Sequence, residues 1–570
     1  MISHGMEISW DRETDLIVAG AGPAGMTAAL VAALEGLEVI ICEKSQQVGG
    51  TGATSAGTLW IPGNTQSKMA GYEDSATDAA KYLDSFIGDD EDKIRRRVYL
   101  EEGPKVIDYL MERTDVKFNP CGKHPDYRNN IVGAAVEGRA ILPKQFNGRK
   151  LGKNFERVRP PIEEFMLFGG MMVGKDDIAR LTKRYESVTN FAFSASIFLR
   201  FLIDRLWYKR GTRLTMGNAL VARLFYSLCK QNVPILFGAP VIELVNEQSG
   251  VIGAVIETQQ GRKRIRGKKG VVLSTGGFSH NKEFREKYLP KPISPYSLAT
   301  ESNTGDGLRI GESIGAKLDD PPHQRSAFWT PVSITKRKDG TAGLFPHIFL
   351  DRAKPGLIAV NAGGQRFVNE AASYHDFVEA MYRSHENVAT IPAWLVCDSY
   401  FVQKYGIGTI YPGTKNLQKF AKAGYVRIAD TISNLAKSIG ISGTELENTI
   451  MRHNEFASNG IDLDFGKGDL ELNRFNGDSD NRPNPCLRSI ETAPFVAMPV
   501  WPAELGCSIG LKTNINGQVL DQNNENIAGL YACGNDMSSI MAGCYPGPGI
   551  TLGPAVVFGY RVAMHAAGRL

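Results

Sequence analysis

Residues 14–43 read TDLIVAGAGPAGMTAALVAALEGLEVIICE, and their order predicts three elements. The apolar run from Thr14 to Ala19 is a short strand, the turn Gly20-Ala21-Gly22-Pro23-Ala24-Gly25 interrupts it, and an alanine-rich stretch to Leu34 is a helix. After Gly36 a second apolar strand runs from Leu37 to Cys42 and stops at Glu43, followed by Lys44. Strand, glycine turn, helix, strand and acid make the first half of a dinucleotide-binding unit. Gly20 makes the tight turn, Gly22 lets the backbone approach a pyrophosphate, and Gly25 lets the helix pack closely on the strand. The phosphates rest on the helix N-terminus at Pro23 and Ala24. Glu43 stands near the distance of about 20 residues at which an acid meets the ribose hydroxyls.

The next stretch favours FAD over a nicotinamide nucleotide. Gly49 to Gly57 is a long loop of small residues, with Gly50, Thr51, Thr54, Ser55 and Gly57 placed to run under an extended cofactor. Two later units have the shape of a parallel strand that ends at a ligand. One runs from Val271 through Thr275 to Gly276 and Gly277, the other from Leu530 to Gly534 and Asn535. The expected fold is α/β (α+β): a Rossmann-like FAD-binding domain over 1–300 and 500–570, with a substrate domain at 301–499 inserted into it and a helical insertion at about 160–215. No second complete GxGxxG unit and no internal repeat occurs. The polar stretch 459–485 reads as surface loop.

Composition bounds the function classes. Apolar residues make up 42% of the 570 and charged residues 22%, which suits a folded globular chain. The net charge of +4 gives no basis for nucleic-acid binding, and the basic run Arg262–Lys269 lies between apolar runs as a solvated hairpin would. Eight cysteines form neither a CxxC pair nor a metal-ligand cluster, so no metal is expected and a reducing, cytoplasmic compartment is. The opening MISHGMEISWDRETD shows no secretory signal pattern. Residues 188–208, VTNFAFSASIFLRFLIDRLWY, are strongly apolar but carry Arg200, Asp204 and Arg205, which argues against a spanning helix. Two readings stay open for them: an interfacial helix on a membrane, or a helix buried in a cap over the active site.

The GAGPAG turn, LSTGGF (273–278), GLYACGN (529–535) and the closing YPGPGITLGP (545–554) together resemble the 3-ketosteroid Δ1-dehydrogenases of the fumarate reductase flavoprotein group. TLWIPGN (58–64), PKQFNGRKLG (143–152), NTGDG (303–307), GQRFVNE (364–370), IPAWLV (391–396) and NRPNP (481–485) extend the likeness along nearly the whole chain. The resemblance implies FAD, a cyclic ketone as substrate, α-proton abstraction and β-hydride transfer to flavin N5. It assigns the ketone oxygen to the Tyr545 hydroxyl and the Gly549 backbone N–H, and a base to Tyr127 in HPDYRNN. Two fixed donors aimed at a developing enolate oxygen form an oxyanion hole, each donor worth about 3–4 kcal/mol. The helix opening at Thr551 and Leu552 turns its N-terminus toward the flavin. By ungapped comparison Pro346 stands where the family's main catalytic tyrosine lies, six residues before the arginine of Leu350-Asp351-Arg352. The base is then His347, Tyr127 alone, or Tyr185 or Tyr208 from the insertion.

Alternatives to a steroid desaturase are a desaturase of a smaller cyclic ketone, a fumarate- or urocanate-type reductase drawing on Arg325, Arg366 and Arg383, and a non-catalytic flavin protein that transfers electrons or binds ligands. The electron acceptor, quinone-like or a redox protein, has no sequence signature.

Overall fold

The computed structural model describes residues 9–570 except 89, 249, 338, 349 and 350. Leu350, and residues 1–8 of the stretch read for a secretory signal, therefore lie outside the described residues.

Strand β1 (Arg12–Ala19), helix α1 (Pro23–Leu34) and strand β2 (Val39–Glu43) form as the opening stretch predicts. All five residues of β2 are buried, which requires cover on both faces of the sheet and explains an unbroken apolar run. Further along the chain come β3 (Ile235–Phe237), β4 (Gly261–Leu273) and β5 (Asn526–Ala532). The parallel order across the sheet is β3-β2-β1-β4-β5, with Val18 opposite both Ile41 and Val272, and Val272 opposite Tyr531. The basic run 262–269 lies on β4 itself, in the half that pairs antiparallel with Gly250–Thr258. Helix α1 is buried along ten of its twelve residues, and the closing helix α2 (Leu552–Ala566) packs on it.

A six-stranded antiparallel sheet is built around Phe495–Cys507, which pairs with Ala327–Lys336, Ala393–Asp398 and Arg427–Ala429 and crosses residue 499. The stretch 459–485 is not the surface loop its polarity suggests. Asp462 and Lys467 are buried because Arg366 and Glu370 meet them: Arg366 Nη2 lies 2.8 Å from Asp462 Oδ2, and Lys467 Nζ lies 3.4 Å from Glu370 Oε2. Buried charges persist where they are paired.

Residues 160–215 hold a two-stranded hairpin (Met166–Leu167 with Met171–Met172) and helices Lys175–Thr182 and Val188–Asp204. Among the described residues no helix is long and apolar enough to cross a membrane. The helix Val188–Asp204 is also not a buried cap, since only Ser194, Ile197, Phe201 and Asp204 of its seventeen residues are buried.

Candidate active site

The C-terminal ends of β1, β2, β4 and β5 deliver Gly20, Glu43, Thr275–Gly277 and Gly534–Asn535 to one edge of the parallel sheet, where such folds bind ligands. Gly20 has a φ of +100°, and a Cβ there would lie 2.4 Å from the Ser274 carbonyl oxygen, so neither geometry nor space admits a side chain. Helix α1 opens with Gly22 as N-cap and no side-chain cap, and a Cβ built on Gly22 meets nothing within 4 Å. Open space thus fronts an uncapped helix N-terminus. The Glu43 carboxylate is held beside it, accepting from Ala21 N at 2.7 Å and Ser45 N at 2.8 Å. Lys44 Nζ pairs with Asp306 at 2.7 Å.

The small-residue loop is braced from the far side. Thr51 Oγ1 accepts from Thr300 N and Asn303 Nδ2, both at 3.1 Å, and Asn303 Nδ2 also donates to Gly276 O at 2.9 Å. Thr54 donates to Thr51 O at 3.0 Å, Ser55 donates to Gly52 O at 2.8 Å, and Gly57 N donates to Ser55 Oγ at 3.1 Å. Sequence reasoning missed Asp536. This buried acid accepts from Thr275 Oγ1 at 2.8 Å and Gly277 N at 2.9 Å, so it splices the glycine turn after β4 to the one after β5. Its position right after Gly534-Asn535 was the available signal.

The second half of the site is a cluster of three buried phenols, Tyr127, Tyr374 and Tyr545. The Tyr127 and Tyr545 rings stack with centroids 5.5 Å apart and planes 10° apart, and Tyr374 stands edge-on to both at 5.4 and 5.2 Å. The Tyr127 hydroxyl donates to the Tyr374 hydroxyl at 2.9 Å, and a hydrogen bond also joins Tyr545 to Tyr374. Phe328 and His375 close the cluster with rings 5.5 and 5.6 Å from Tyr545.

Local structure explains why these phenols meet. The Pro546 carbonyl accepts from Tyr127 N at 2.9 Å and Tyr82 OH at 2.7 Å, tying HPDYRNN to the YPGPG turn. Asp126 fixes the same loop by accepting from Trp60 Nε1 at 2.8 Å and Arg139 Nη1 at 2.6 Å. Tyr374 opens the helix Tyr374–His385, capped by Ser373 Oγ, and Arg128 reaches that helix through Asp376 at 2.9 Å. Gly549 has a φ of +93°, and a Cβ there would lie 2.3 Å from Thr58 O. Helix α2 follows from Thr551, the second helix at this site without a side-chain cap.

Burial raises all three phenols well above the usual tyrosine range. Arg352 works against this at Tyr127 and Tyr374. Its guanidinium is buried and, among the described residues, donates to four carbonyl oxygens: His347 O at 2.7 Å, Glu370 O at 2.8 Å, Ala372 O and Ile348 O at 3.2 Å. Burial lowers it to about 10, which leaves it charged at neutral pH.

The candidates raised by Pro346 lie in different places. Pro346 lies in the strand Ala342–Pro346, opposite Val332. His347 is fully buried with both ring nitrogens engaged, Nδ1 2.6 Å from Asp351 and Nε2 2.8 Å from Ser333, and its carbonyl accepts from Arg352 Nε. Tyr185 is 80% exposed, and Tyr208 packs edge-on against Phe155. The partner of Tyr127 is Tyr374, which the sequence reading passed over although it lies four residues beyond the end of the GQRFVNE segment.

A family described as "FAD binding domain" matches residues 15–552. The 3-oxosteroid 1-dehydrogenase of Mycolicibacterium smegmatis is 34% identical over 98% of this chain and 97% of its own. The chain belongs to the FAD-binding flavoprotein family of the 3-ketosteroid Δ1-dehydrogenases. It is also 35% identical to the 4-oxocyclohex-2-ene-1-carboxylate 5-dehydrogenase of Sinomonas cyclohexanicum, over 97% of this chain and 93% of the relative. The crystal structure of 3-ketosteroid delta1-dehydrogenase from Sterolibacterium denitrificans, in complex with 1,4-androstadiene-3,17-dione, superposes with a TM-score of 0.89 at 34% identity, covering 98% of this chain and 100% of that one.

The observed cradle fits the family's cofactor: an uncapped helix N-terminus behind a glycine turn suits a pyrophosphate, and an acid at the tip of β2 suits a ribose. This flavoprotein therefore releases FAD on denaturation. Mass analysis of the released cofactor checks it, and FMN or no flavin is the contrary result, since FMN lacks the adenosine half that this cradle serves.

Proposed function

We propose that the chain desaturates a cyclic ketone beside its carbonyl, with a 3-ketosteroid desaturated at C1–C2 as the leading substrate. The observation that carries this reading is the Tyr127–Tyr374–Tyr545 cluster lodged against the Gly549 turn. Bound FAD supplies the acceptor for the hydride that leaves the β-carbon. The Tyr545 hydroxyl and the Gly549 N–H hold the ketone oxygen and stabilise the negative charge that grows there as the α-proton departs. Tyr374, hydrogen-bonded to both neighbours, takes that proton, and Tyr127 is its support. We assign the cofactor to the glycine turns, Glu43 and the 50–57 loop.

The three-part division at 1–300, 301–499 and 500–570 is part of the proposal, supported by the separation of the eight-stranded from the six-stranded sheet. Eight cysteines with no CxxC pair support a reducing, cytoplasmic location, and a quinone-like molecule or a redox protein is the proposed electron acceptor. A peripheral membrane contact through residues 188–208 is proposed beside this chemistry and does not depend on it.

Fumarate- or urocanate-type chemistry needs arginines available to substrate carboxylates, and Arg366 is already engaged by Glu370 and Asp462. Turnover with an artificial electron acceptor tests the reading: a 3-ketosteroid, a cyclohexanone and a dicarboxylate are compared, with products identified by mass. Loss of a hydrogen pair from the steroid supports it. Loss only from the cyclohexanone moves the substrate to a smaller ring, and turnover of the dicarboxylate alone overturns it.

Arg352 supplies a pH prediction. A phenolic base works only when deprotonated, so kcat/KM rises with pH through the kinetic pKa. The Arg352 charge lowers that pKa, so Arg352→Met moves the rising limb to higher pH and lowers the rate at neutral pH. Arg352→Lys retains the charge and recovers part of the loss. A profile unmoved by Arg352→Met would leave the residue a structural role only.

A further inference from the structure

Among the described residues, half of all exposed large apolar side chains fall between Phe168 and Trp207. The helix Val188–Asp204 is inverted relative to an ordinary surface helix. A narrow seam of Ser194, Ile197, Phe201 and Asp204 faces the protein, and Phe191, Phe198, Leu199, Leu202 and Ile203 face outward, each 39% exposed or more. Phe168, at the tip of the neighbouring hairpin, is 70% exposed with a φ of +52° and packs edge-on against Phe198 at 5.3 Å. A bulky residue held in the left-handed region costs about 1–3 kcal/mol in general, which marks the tip as a functional rather than a casual turn.

Charge is sorted across the same unit. The acids turn inward: Asp177 pairs with Arg213 at 2.7 Å, and Asp204 pairs with Arg149 at 2.6 Å. The bases stay outside. Lys183 and Arg184 precede the apolar helix, Arg205 and Lys209 follow it, and Glu186 is the one exposed acid among the described side chains of 166–209. Tyr185 and Trp207, 80% and 71% exposed, flank the apolar band as amphipathic anchors do at a lipid surface. At about 1.5 Å per residue the helix spans roughly 25 Å, short of the ~30 Å hydrocarbon core, so it suits the interfacial plane. Glu164 holds the base of the unit to Arg337 at 2.8 Å, which keeps this face presented.

We propose that residues 166–209 form a docking surface for an anionic phospholipid bilayer, with the outer face of Val188–Asp204 sunk at the headgroup–acyl boundary and its basic ends on the headgroups. The proposal stands independently of the ketone chemistry.

The test is co-sedimentation of the full-length, flavin-loaded protein with vesicles of phosphatidylcholine alone and of phosphatidylcholine mixed with phosphatidylglycerol. The expected result is binding to the mixed vesicles that weakens with salt and falls about tenfold or more in Leu202→Glu. The charge pair Arg205→Glu and Lys209→Glu reads the same surface without touching an apolar residue, and flavin absorbance reports that each variant is folded. Absence of sedimentation with both vesicle types overturns the proposal. So does a dimer that Leu202→Glu converts to monomer with vesicle binding unchanged, because a second copy then owns the face.

Discussion

Tyr374→Phe lowers the rate of ketone-driven flavin reduction by about 10²-fold or more, the usual scale for a lost general base, while ketone binding changes little. The reason lies in the cluster's wiring. The Tyr374 hydroxyl is hydrogen-bonded to both Tyr127 and Tyr545, and Arg352 lends it positive potential. Phenylalanine keeps the edge-on packing against both rings and deletes only the oxygen. Stopped-flow bleaching of the variant beside Tyr127→Phe ranks the two phenols. Deuterium exchange at the ketone α-carbon gives a readout that does not depend on hydride transfer, and Tyr374→Phe loses it. Normal exchange and bleaching in Tyr374→Phe, with both lost in Tyr127→Phe, would move the base to Tyr127.

Tyr545→Phe lowers turnover by about 10²–10³ with FAD occupancy retained, because it removes one of the two donors to the developing oxyanion. The Tyr127 stack at 5.5 Å is preserved in the variant, so a large loss is attributable to the hydroxyl. The signature differs from that of Tyr374→Phe: a donor lost from the ketone oxygen lowers affinity for phenolic mimics of the enolate, whereas a lost base does not. Wild-type turnover in Tyr545→Phe would make the residue a packing element.

What the sequence disclosed and what it hid follow from the range of the interactions. The nucleotide cradle was legible because Gly20, Gly22, Gly25 and Glu43 act through one contiguous turn-and-strand unit, and each needs a residue type that few others replace. Tyr545 and Tyr127 were reachable only through the family resemblance, since their meeting depends on the Pro546 carbonyl joining two segments more than 400 residues apart. Tyr374 escaped because a tyrosine at a helix start looks like any core aromatic until the fold sets it against Tyr127. Asp462 and Lys467 misled for the same reason: their partners Arg366 and Glu370 lie about a hundred residues away, and polarity alone reads as solvent exposure. The apolar run at 188–208 was conspicuous in the sequence, but its outward orientation required the buried seam at Ser194, Ile197 and Phe201 to be located.

The most direct test of the central claim is anaerobic mixing of the flavin-loaded protein with a 3-ketosteroid while the flavin spectrum is followed. Prompt bleaching is expected, with one equivalent of the conjugated dienone or enone formed per flavin reduced. A spectrum that shifts but stays oxidised with the steroid and with smaller cyclic ketones alike would contradict it, and would leave a protein that binds ketones without desaturating them.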